Sequence, residues 1–473
     1  MKKRHFKICL IAFTVILILT VAVTKNVSAE KINITIYNHG QALVTETRKM
    51  DIEKGQSKVL FDDVPQSINP KTLQIKSLTS PDNFSVLDMN YEYDLINTKT
   101  LLDKYVGEEI KIVVPHPTDA KQKMFRQAKL IANNDRPIFE FDDNIYIGDY
   151  ESVMLAEIPD NLRATPALVW LVDNHGEKEQ SLEVSYLADK IKWDADYVLT
   201  LHEDEKSGAL NGWVTLENRS GKMFEDAALK LVAGDLNIVR PDRRMRNDMV
   251  MEKSMAMGSK PMKQEEIMEY HLYSLDRKVD IKNNQIKQVS LLQNPKVRLN
   301  KKLISISPRY QGKSMEQDVQ VFLQTVNDEK HGLNTPLPKG VVRVYQKSSD
   351  GSSVFVGEDR IEHTPINADI DLLLGTAFDV EVDKVLKNSQ ELSSKVHRFD
   401  WEIEISNGKK EDVTVYLREN FPNNSKIMDN NFKYSKIDNN NVEFEIKVEA
   451  QASKTLKFTL IVDNNPQPLS ITR

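Results

Sequence analysis

Apolar residues recur at every second position over much of this chain, and that spacing constrains the fold more than any other feature. Ile32, Ile34 and Ile36 alternate with polar residues, and similar stretches recur as far as Thr455–Val462. Successive side chains of a β-strand point to opposite faces, so this period buries one face and leaves the other in water. Helix-like stretches are few and short. The pattern therefore predicts an all-β protein.

Composition and length set the class and the number of domains. Apolar residues make up 40% and charged residues 28% of the chain, which is typical of a globular protein. The 473 residues exceed one hydrophobic core, because single cores stop growing near roughly 250–300 residues. We predict a signal peptide at residues 1–29, an N-terminal β unit at 30–98, a small β-barrel at 99–160, a central β-sandwich domain at 161–370, a C-terminal immunoglobulin-like sandwich at 371–465 and a tail at 466–473.

The barrel prediction comes from one short helix followed by closely spaced strands. Asn97 or Thr98 caps the predicted helix, and Gly107 ends it. Five short strand-like stretches follow, and Asp142-Asp143-Asn144 between two of them predicts a tight hairpin. Strands this short and dense close readily into an SH3-like or OB-like barrel, which removes exposed edges.

The sandwich predictions come from longer strands. Ala167–Val172 predicts a strand buried on both faces. Further strands recur about every 8–12 residues with turn residues between them, which is typical of immunoglobulin-like sandwiches. Trp193 and Trp213 are the predicted core anchors. Residues 371–465 follow the same pattern, with a turn predicted at Asn407-Gly408.

Residues 240–268 interrupt the strand pattern. We predict here a mobile, Met-rich insertion, after which the sheet resumes at Glu269–Tyr273. Because thioethers bind Cu(I), a copper site is the alternative, but the methionine spacing is irregular and no His or Cys accompanies it. The segment holds seven of the fifteen methionines: Met245, Met249, Met251, Met255, Met257, Met262 and Met268.

The first residues predict export. A basic start precedes an apolar run from Ile8 to Val23 and the small residues Val27-Ser28-Ala29, which is the pattern of a secretory signal peptide cleaved after Ala29. An uncleaved anchor is the alternative, but the run is shorter than the ~20 apolar residues that span a bilayer. Cleavage would remove five basic residues and no acidic ones, which makes the net charge -11 instead of -6. We expect no transmembrane segment after cleavage.

Charge and cysteine content exclude several classes of protein. There are 64 basic and 70 acidic residues, so no basic excess is present to neutralise nucleic-acid phosphates, and we expect no nucleic-acid partner. The one cysteine, Cys9, lies inside the predicted signal peptide. This excludes a disulfide framework and a Cys-based zinc site in the mature chain.

Candidate catalytic and metal-binding residues have simpler structural explanations. The eight histidines after residue 29 are scattered without an HExxH pattern. His271 shares a predicted outward strand face with Glu269 and Tyr273, as in any half-buried strand. Ser406–Lys409 matches SxxK, but its Asn-Gly pair predicts a turn, whereas the serine of penicillin-binding proteins lies at a helix start.

Paired carboxylates give no clear signal either. Glu203-Asp204-Glu205 and Asp142-Asp143 lie in predicted turns, where acidic residues are favoured for backbone reasons. We therefore assign no catalytic, metal-binding or cofactor-binding residue and expect no cofactor.

Seven short segments carry a family resemblance, and they are Ile36–Val44, Trp193–Tyr197, Gly212–Asn218, Leu231–Asp235, Glu269–Tyr273, Gly357–Pro365 and Leu374–Val380. They resemble parts of the domain-of-unknown-function 4139 family, over nearly the whole chain after the predicted signal. The resemblance implies a β-rich exported bacterial protein, related more distantly to proteins named mucoidy inhibitor A. It implies no reaction and no site residue, and the coiled-coil region of longer relatives has no counterpart here.

These observations favour a secreted or envelope-associated protein that binds an envelope protein or polymer without catalysis. Sheet edges and loops suit strand addition or glycan contact. One alternative is a hydrolase of cell-wall or extracellular polymer that uses two carboxylates brought together by the fold. A second alternative is a purely structural spacer.

The predicted signal peptide leads to a first testable prediction. Protein recovered from the culture medium or the periplasm should begin at Glu30, because cleavage after Ala29 removes the apolar run. Amino-terminal sequencing and intact mass would measure this. Recovery of the full chain in the membrane fraction would support the uncleaved anchor instead.

Overall fold

A computed structural model describes residues 29–116, 122–159, 162–234, 262–267, 270–307 and 314–464. Most of these residues form strands, with one α-helix and one short 3-10 helix at Glu329–His331. The all-β prediction is therefore confirmed. The architecture consists of several separate sheets, and the described residues contain no closed barrel.

The strands and the helix are numbered in chain order. The first part of the chain contains β1 (Lys31–Tyr37), β2 (Gln41–Asp51), β3 (Gly55–Phe61), β4 (Ile68–Ser77), β5 (Phe84–Glu92), α1 (Thr98–Lys104), β6 (Glu109–Pro115), β7 (Lys123–Ala132), β8 (Ile138–Phe141), β9 (Asn144–Tyr146), β10 (Ser152–Met154), β11 (Ala167–Asn174), β12 (Glu179–Asp189), β13 (Ile191–Leu201), β14 (Ser207–Asn218) and β15 (Phe224–Ala233). The second part contains β16 (Lys263–Ile267), β17 (Tyr270–Ser274), β18 (Val279–Ile281), β19 (Gln285–Arg298), β20 (Asn300–Ile306), β21 (Met315–Gln317), β22 (Val319–Val326), β23 (Gly340–Lys347), β24 (Ser353–Ile361), β25 (Asp369–Thr376), β26 (Val380–Ser393), β27 (Val396–Asn407), β28 (Val413–Asn420), β29 (Ser425–Met428), β30 (Tyr434–Lys436), β31 (Asn441–Val448) and β32 (Ala452–Asp463).

The chain divides into two compact units, each assembled from separate stretches. The first unit takes the residues up to Ile191 together with Asn218–Leu229 and Arg277–Gln285. The second unit takes Lys192–Glu217, Lys230–Asp276 and the residues from Ile286 onward.

Two antiparallel sheets face each other in the first unit. One is part of an eight-stranded sheet and contains the consecutive strands β1-β2-β12-β4, and the other is three-stranded with the order β3-β11-β5. Ile34, Val184 and Trp170 are fully buried. The predicted boundaries near residues 98 and 161 differ from this arrangement, because β11 and β12 pair with strands of the predicted N-terminal β unit. Side-chain alternation specifies which face of a strand is buried, but not which strand lies beside it.

The first unit also contains a five-stranded sheet, where the barrel prediction is wrong. The strands lie in the order β10-β6-β7-β8-β9, and the terminal strands β9 and β10 do not pair. Helix α1 packs on one face instead, with Leu102 and Tyr105 in a buried cluster with Ile112 and Leu130. The predicted N-cap Asn97 forms a capping box with Thr100. A helix covering the apolar face removes the need for barrel closure.

The hairpin predicted between β8 and β9 is confirmed. Phe141 pairs with Asn144, so the loop consists of Asp142 and Asp143 alone. Both residues have positive φ angles, of 50° and 59°. Two left-handed residues in a two-residue loop give a type I′ turn, whose twist matches that of the flanking strands.

Three further sheets lie in the second unit, which also contains β16 and β17. The first has the order β19-β14-β13-β23-β24, in which β13 and β23 run parallel. The other two sheets, β25-β22-β20-β28-β31-β30 and β21-β26-β27-β32-β29, enclose one core that includes Trp401, Phe444 and Phe458. This sandwich takes β20, β21 and β22 from before the predicted start at residue 371. Trp193 is a buried anchor as predicted, whereas Trp213 is only half-buried.

Other predictions fall wholly or partly outside the described residues. These are the signal peptide, the tail and most of the Met-rich insertion. The end of the predicted insertion is a strand, because Lys263–Ile267 pairs antiparallel with Tyr270–Ser274. No helix in the described ranges is long and apolar enough to cross a membrane.

A charged cluster is buried inside the first unit. The Glu46 carboxylate, which is 0% exposed, accepts hydrogen bonds from Arg48 Nη2 at 2.6 Å, from Lys222 Nζ at 2.9 Å and from the Tyr186 hydroxyl. The exposed Asp63 carboxylate lies 3.2 Å from Lys222 Nζ and balances the second cation. Burial would raise the pKa of Glu46, but the charges of Lys222 and Arg48 outweigh it and hold the pKa below its usual value.

We predict that Glu46→Gln destabilises the first unit by about 3–5 kcal/mol, because two buried cations lose their shared carboxylate. Hydrogen exchange should become faster in β2 and β12 and stay unchanged in β27 and β32. The exposed Glu30→Gln, which removes a surface pair with Lys49, is the control and should change little. Equal protection in wild type and Glu46→Gln would contradict the prediction.

The lowered pKa of Glu46 also sets the direction of a pH dependence. The stabilisation by the cluster is fully present above the unfolded-state pKa, near ~4.3, and is lost as the pH falls through the lower folded-state pKa. Denaturation midpoints measured between neutral and acidic pH should therefore fall more steeply in the wild type than in Glu46→Gln.

Candidate functional site

The second unit contains a cleft of about 290 Å³. Its walls come from β20, β22 and the end of β25 in one sheet, and from β23 and β24 in another. The end of β13 and two turn residues, Glu205 and Lys409, complete the lining. This volume lies at the lower end of the range of small-molecule pockets, about 300–1,000 Å³.

Two β-bulges shape the cleft. In the β23–β24 pair, Val344 pairs with Gly357 and Tyr345 pairs with Phe355, which leaves Val356 as the extra residue. In the β22–β25 pair the register shifts in the same way, and Leu374 is the extra residue. Both extra residues line the cleft. A bulge bends its strand and redirects a side chain, which explains how two edge strands form a concavity.

A glycine follows each bulged residue, and both glycines are needed for the backbone path. Gly357 and Gly375 each have φ near 153°, a conformation that L side chains rarely adopt. A Cβ atom on Gly357 would lie 2.5 Å from the Leu374 carbonyl oxygen, whereas one on Gly375 would meet nothing within 4 Å. The bulges therefore touch at Gly357. The Leu373 N–H also donates to Asp359 Oδ2 at 2.8 Å and links the two strands.

The polar part of the cleft is centred on Glu205. One carboxylate oxygen forms an ion pair with Lys301 Nζ, and the other accepts a hydrogen bond from Gln346 Nε2 at 2.9 Å. The hydrogen bond from Lys301 lowers the pKa of Glu205, and burial opposes this by raising it. The hydrogen bond from Gln346 and the charge of Lys409 also lower the pKa, so the net shift is downward. Glu205 is therefore an ionised carboxylate with both oxygens engaged.

The apolar part of the cleft lies beside these charges. It is formed by Leu303, Val321 and Leu323 together with the bulged Val356 and Leu374. Phe378, which follows the lining residue Ala377 in the chain, is 93% exposed. The lining therefore combines an apolar wall with the charged groups around Glu205.

The cleft does not contain the carboxylate pair that the hydrolase alternative requires. Glu205 is the one acidic residue among those lining it. Its pKa is lowered, whereas a general acid needs a raised pKa. The cleft therefore offers a fixed charge network and no acid–base pair.

Another pair of carboxylates, Asp194 and Asp196, lies on β13 within the segment Trp193–Tyr197 that carries part of the family resemblance. Burial, with smaller effects of Asp196 and Glu217, raises the pKa of Asp194 against the effect of Lys192. The Asp194 side chain is 66% exposed, however, so solvent screens this shift. Asp196 is occupied by Arg343 at 3.0 Å and Thr215 at 2.8 Å.

The other candidate residues of the sequence are placed as follows. Ser406 Oγ lies 2.9 Å from Ser453 Oγ on a paired strand, so the SxxK match begins in β27 and not at a helix start. The chain does turn after Asn407, but not as a tight hairpin, since β27 and β28 lie in different sheets. Tyr273 is 2% exposed, and its hydroxyl donates to the Pro336 carbonyl at 3.0 Å, so the outward polar face predicted with His271 is wrong.

In the described ranges, no group of three or more His, Cys, Asp or Glu side chains could hold a metal ion. The copper alternative falls mainly on residues 240–261, which lie outside those ranges.

The sequence does not reveal the cleft, because its polar residues lie in segments where charged side chains are expected for other reasons. Glu205 belongs to an acidic turn, and Lys409 belongs to the turn of the SxxK match. Gly357 and Gly375 inside strands were the available signal, because glycine within a strand often marks a bulge.

The fold defines an all-β protein of several sheets with a small cleft in its second unit. Two stretches of the chain match known protein families. Residues 182–465, more than half of the chain, match the domain of unknown function DUF4139, and residues 34–111 match an N-terminal domain of unknown function, DUF4140. The chain therefore belongs to the DUF4139 family, which confirms the resemblance. No curated protein matches it significantly.

The bulge contact gives a matched pair of predictions. Gly375→Ala should cost about 1–3 kcal/mol through its backbone conformation alone. Gly357→Ala should cost more, because the same conformation is combined with the clash against Leu374. Denaturant titration of both variants would measure the difference. Equal stabilities would show that the two bulges do not constrain each other.

Proposed function

We propose that this protein is an exported, envelope-associated binding protein and that the cleft of the second unit holds its ligand. The observation that carries the proposal is the cleft itself, in which a fixed charge network stands beside an apolar wall and two bulges hold the shape. Binding sites of this kind place a few polar groups in a mainly apolar concavity to orient a ligand.

The two bulges favour binding over a spacer role. Each bulge disrupts the ladder of hydrogen bonds and restricts one position to glycine, which a simple spacer would not require. The exposed Phe378 adds an apolar contact beside the cleft. A polymer or protein of the bacterial envelope is the proposed ligand, and the predicted signal peptide supports delivery to that place.

The proposal can be tested by placing a large side chain in the cleft. Thr376 is an exposed lining residue at the end of β25, so Thr376→Trp should occupy the cavity without disturbing the core. We expect the purified chain from Glu30 to sediment with insoluble envelope material from the encoding bacterium, and we expect Thr376→Trp to reduce the bound fraction about tenfold or more.

The matched control is Asp369→Trp, which places the same side chain at the other exposed end of β25, outside the cleft lining. It should bind like the wild type. Equal sedimentation of both variants, or no sedimentation of the wild type, would contradict the proposed function.

A further inference from the structure

The charges of the cleft do not cancel. Lys301 and Gln346 occupy the two oxygens of Glu205, as described above. Lys409 lies near enough to lower the pKa of Glu205 by its charge, yet within the described chain its ammonium forms no ion pair or hydrogen bond. The side chain is half-buried and lines the cleft. One positive charge therefore remains for a ligand.

The surroundings of Lys409 restrict the kind of anion. A single ammonium balances one negative charge, which suits a carboxylate better than a phosphate dianion. The apolar wall around Leu303 and Val321 would take an alkyl group next to that carboxylate. The volume of about 290 Å³ admits a short group and excludes the width of a folded partner.

We propose that the cleft binds a carboxylate attached to a small apolar group, with Lys409 as its ionic partner. This inference rests on the proposed function of the cleft and names its ligand class. Two sources share the chemistry: the carboxyl end of a peptide whose last residue is apolar, and a free short-chain fatty acid.

Calorimetry with three probes would test the class. The probes are N-acetyl-alanyl-leucine, the same dipeptide with a carboxyl-terminal amide, and hexanoate. We expect the free dipeptide to bind, and the amide to bind about tenfold or more weakly because it lacks the charge-assisted bond. Rising salt should weaken binding of the free acid and leave that of the amide unchanged, since Lys409 is partly open to solvent.

Two adjacent lysines give a matched pair of variants. Lys409→Gln should reduce affinity for the free dipeptide about tenfold or more, whereas Lys410→Gln, at the exposed next position, should not. Thermal unfolding of both variants would check that the fold is intact. A Lys409→Arg variant keeps the charge and should restore part of the binding.

The outcomes separate the ligand class from the function. Binding of hexanoate as well as the dipeptide would support the class and show that the peptide bond is not required, and binding of the dipeptide alone would support the class and identify a peptide end. Equal binding of acid and amide, or by wild type and Lys409→Gln, would overturn the proposal. No binding of any probe, with envelope sedimentation still lost in Thr376→Trp, would overturn the ligand class but not the proposed function.

Discussion

The backbone of every strand must find a hydrogen-bonding neighbour, and in this chain the neighbour is often far away in the sequence. β2 pairs with β12, β13 runs parallel to β23, and β20 runs parallel to β28. A parallel partner cannot follow through a tight turn, so the chain must leave a sheet and return to it. Two sheets of the second unit end at β24 and β25, and the hydrogen bond from Leu373 to Asp359 links these edge strands beside the cleft.

The sequence predicts the features that depend on local physics. The period of two identifies the strands. Asn97 caps the start of α1, and Asp142-Asp143 forms the turn between β8 and β9. The partners of the strands could not be predicted, because alternation is equally satisfied by any neighbour with an apolar face. The barrel prediction failed for that reason, and strand pairs cross the predicted boundaries near residues 98 and 161. The longer the separation between partners, the less a linear pattern says about them.

The candidate site shows the same division. Glycines inside strands signal that a backbone deviates, and Gly357 and Gly375 do mark bulges. The contact between the two bulges depends on how the edge strands β24 and β25 of two sheets lie next to each other. Glu205, Lys301 and Lys409 are ordinary charged residues until the fold brings them together, and their charge balance exists only in three dimensions. The Glu46 cluster is a parallel case in the first unit, where Lys222 completes a network begun far upstream.

The interleaved stretches bear on how such a protein could have been inherited. The two matched family regions, 34–111 and 182–465, do not coincide with the compact units, and β11, the middle strand of its three-stranded sheet, lies between them. A gene fusion that carried only one matched region would separate β12 from β2, or β11 from both of its neighbours. The orphaned strands would present unpaired edges, which promote aggregation. A recombinant chain that kept only one of the two regions would therefore be an aggregation-prone product.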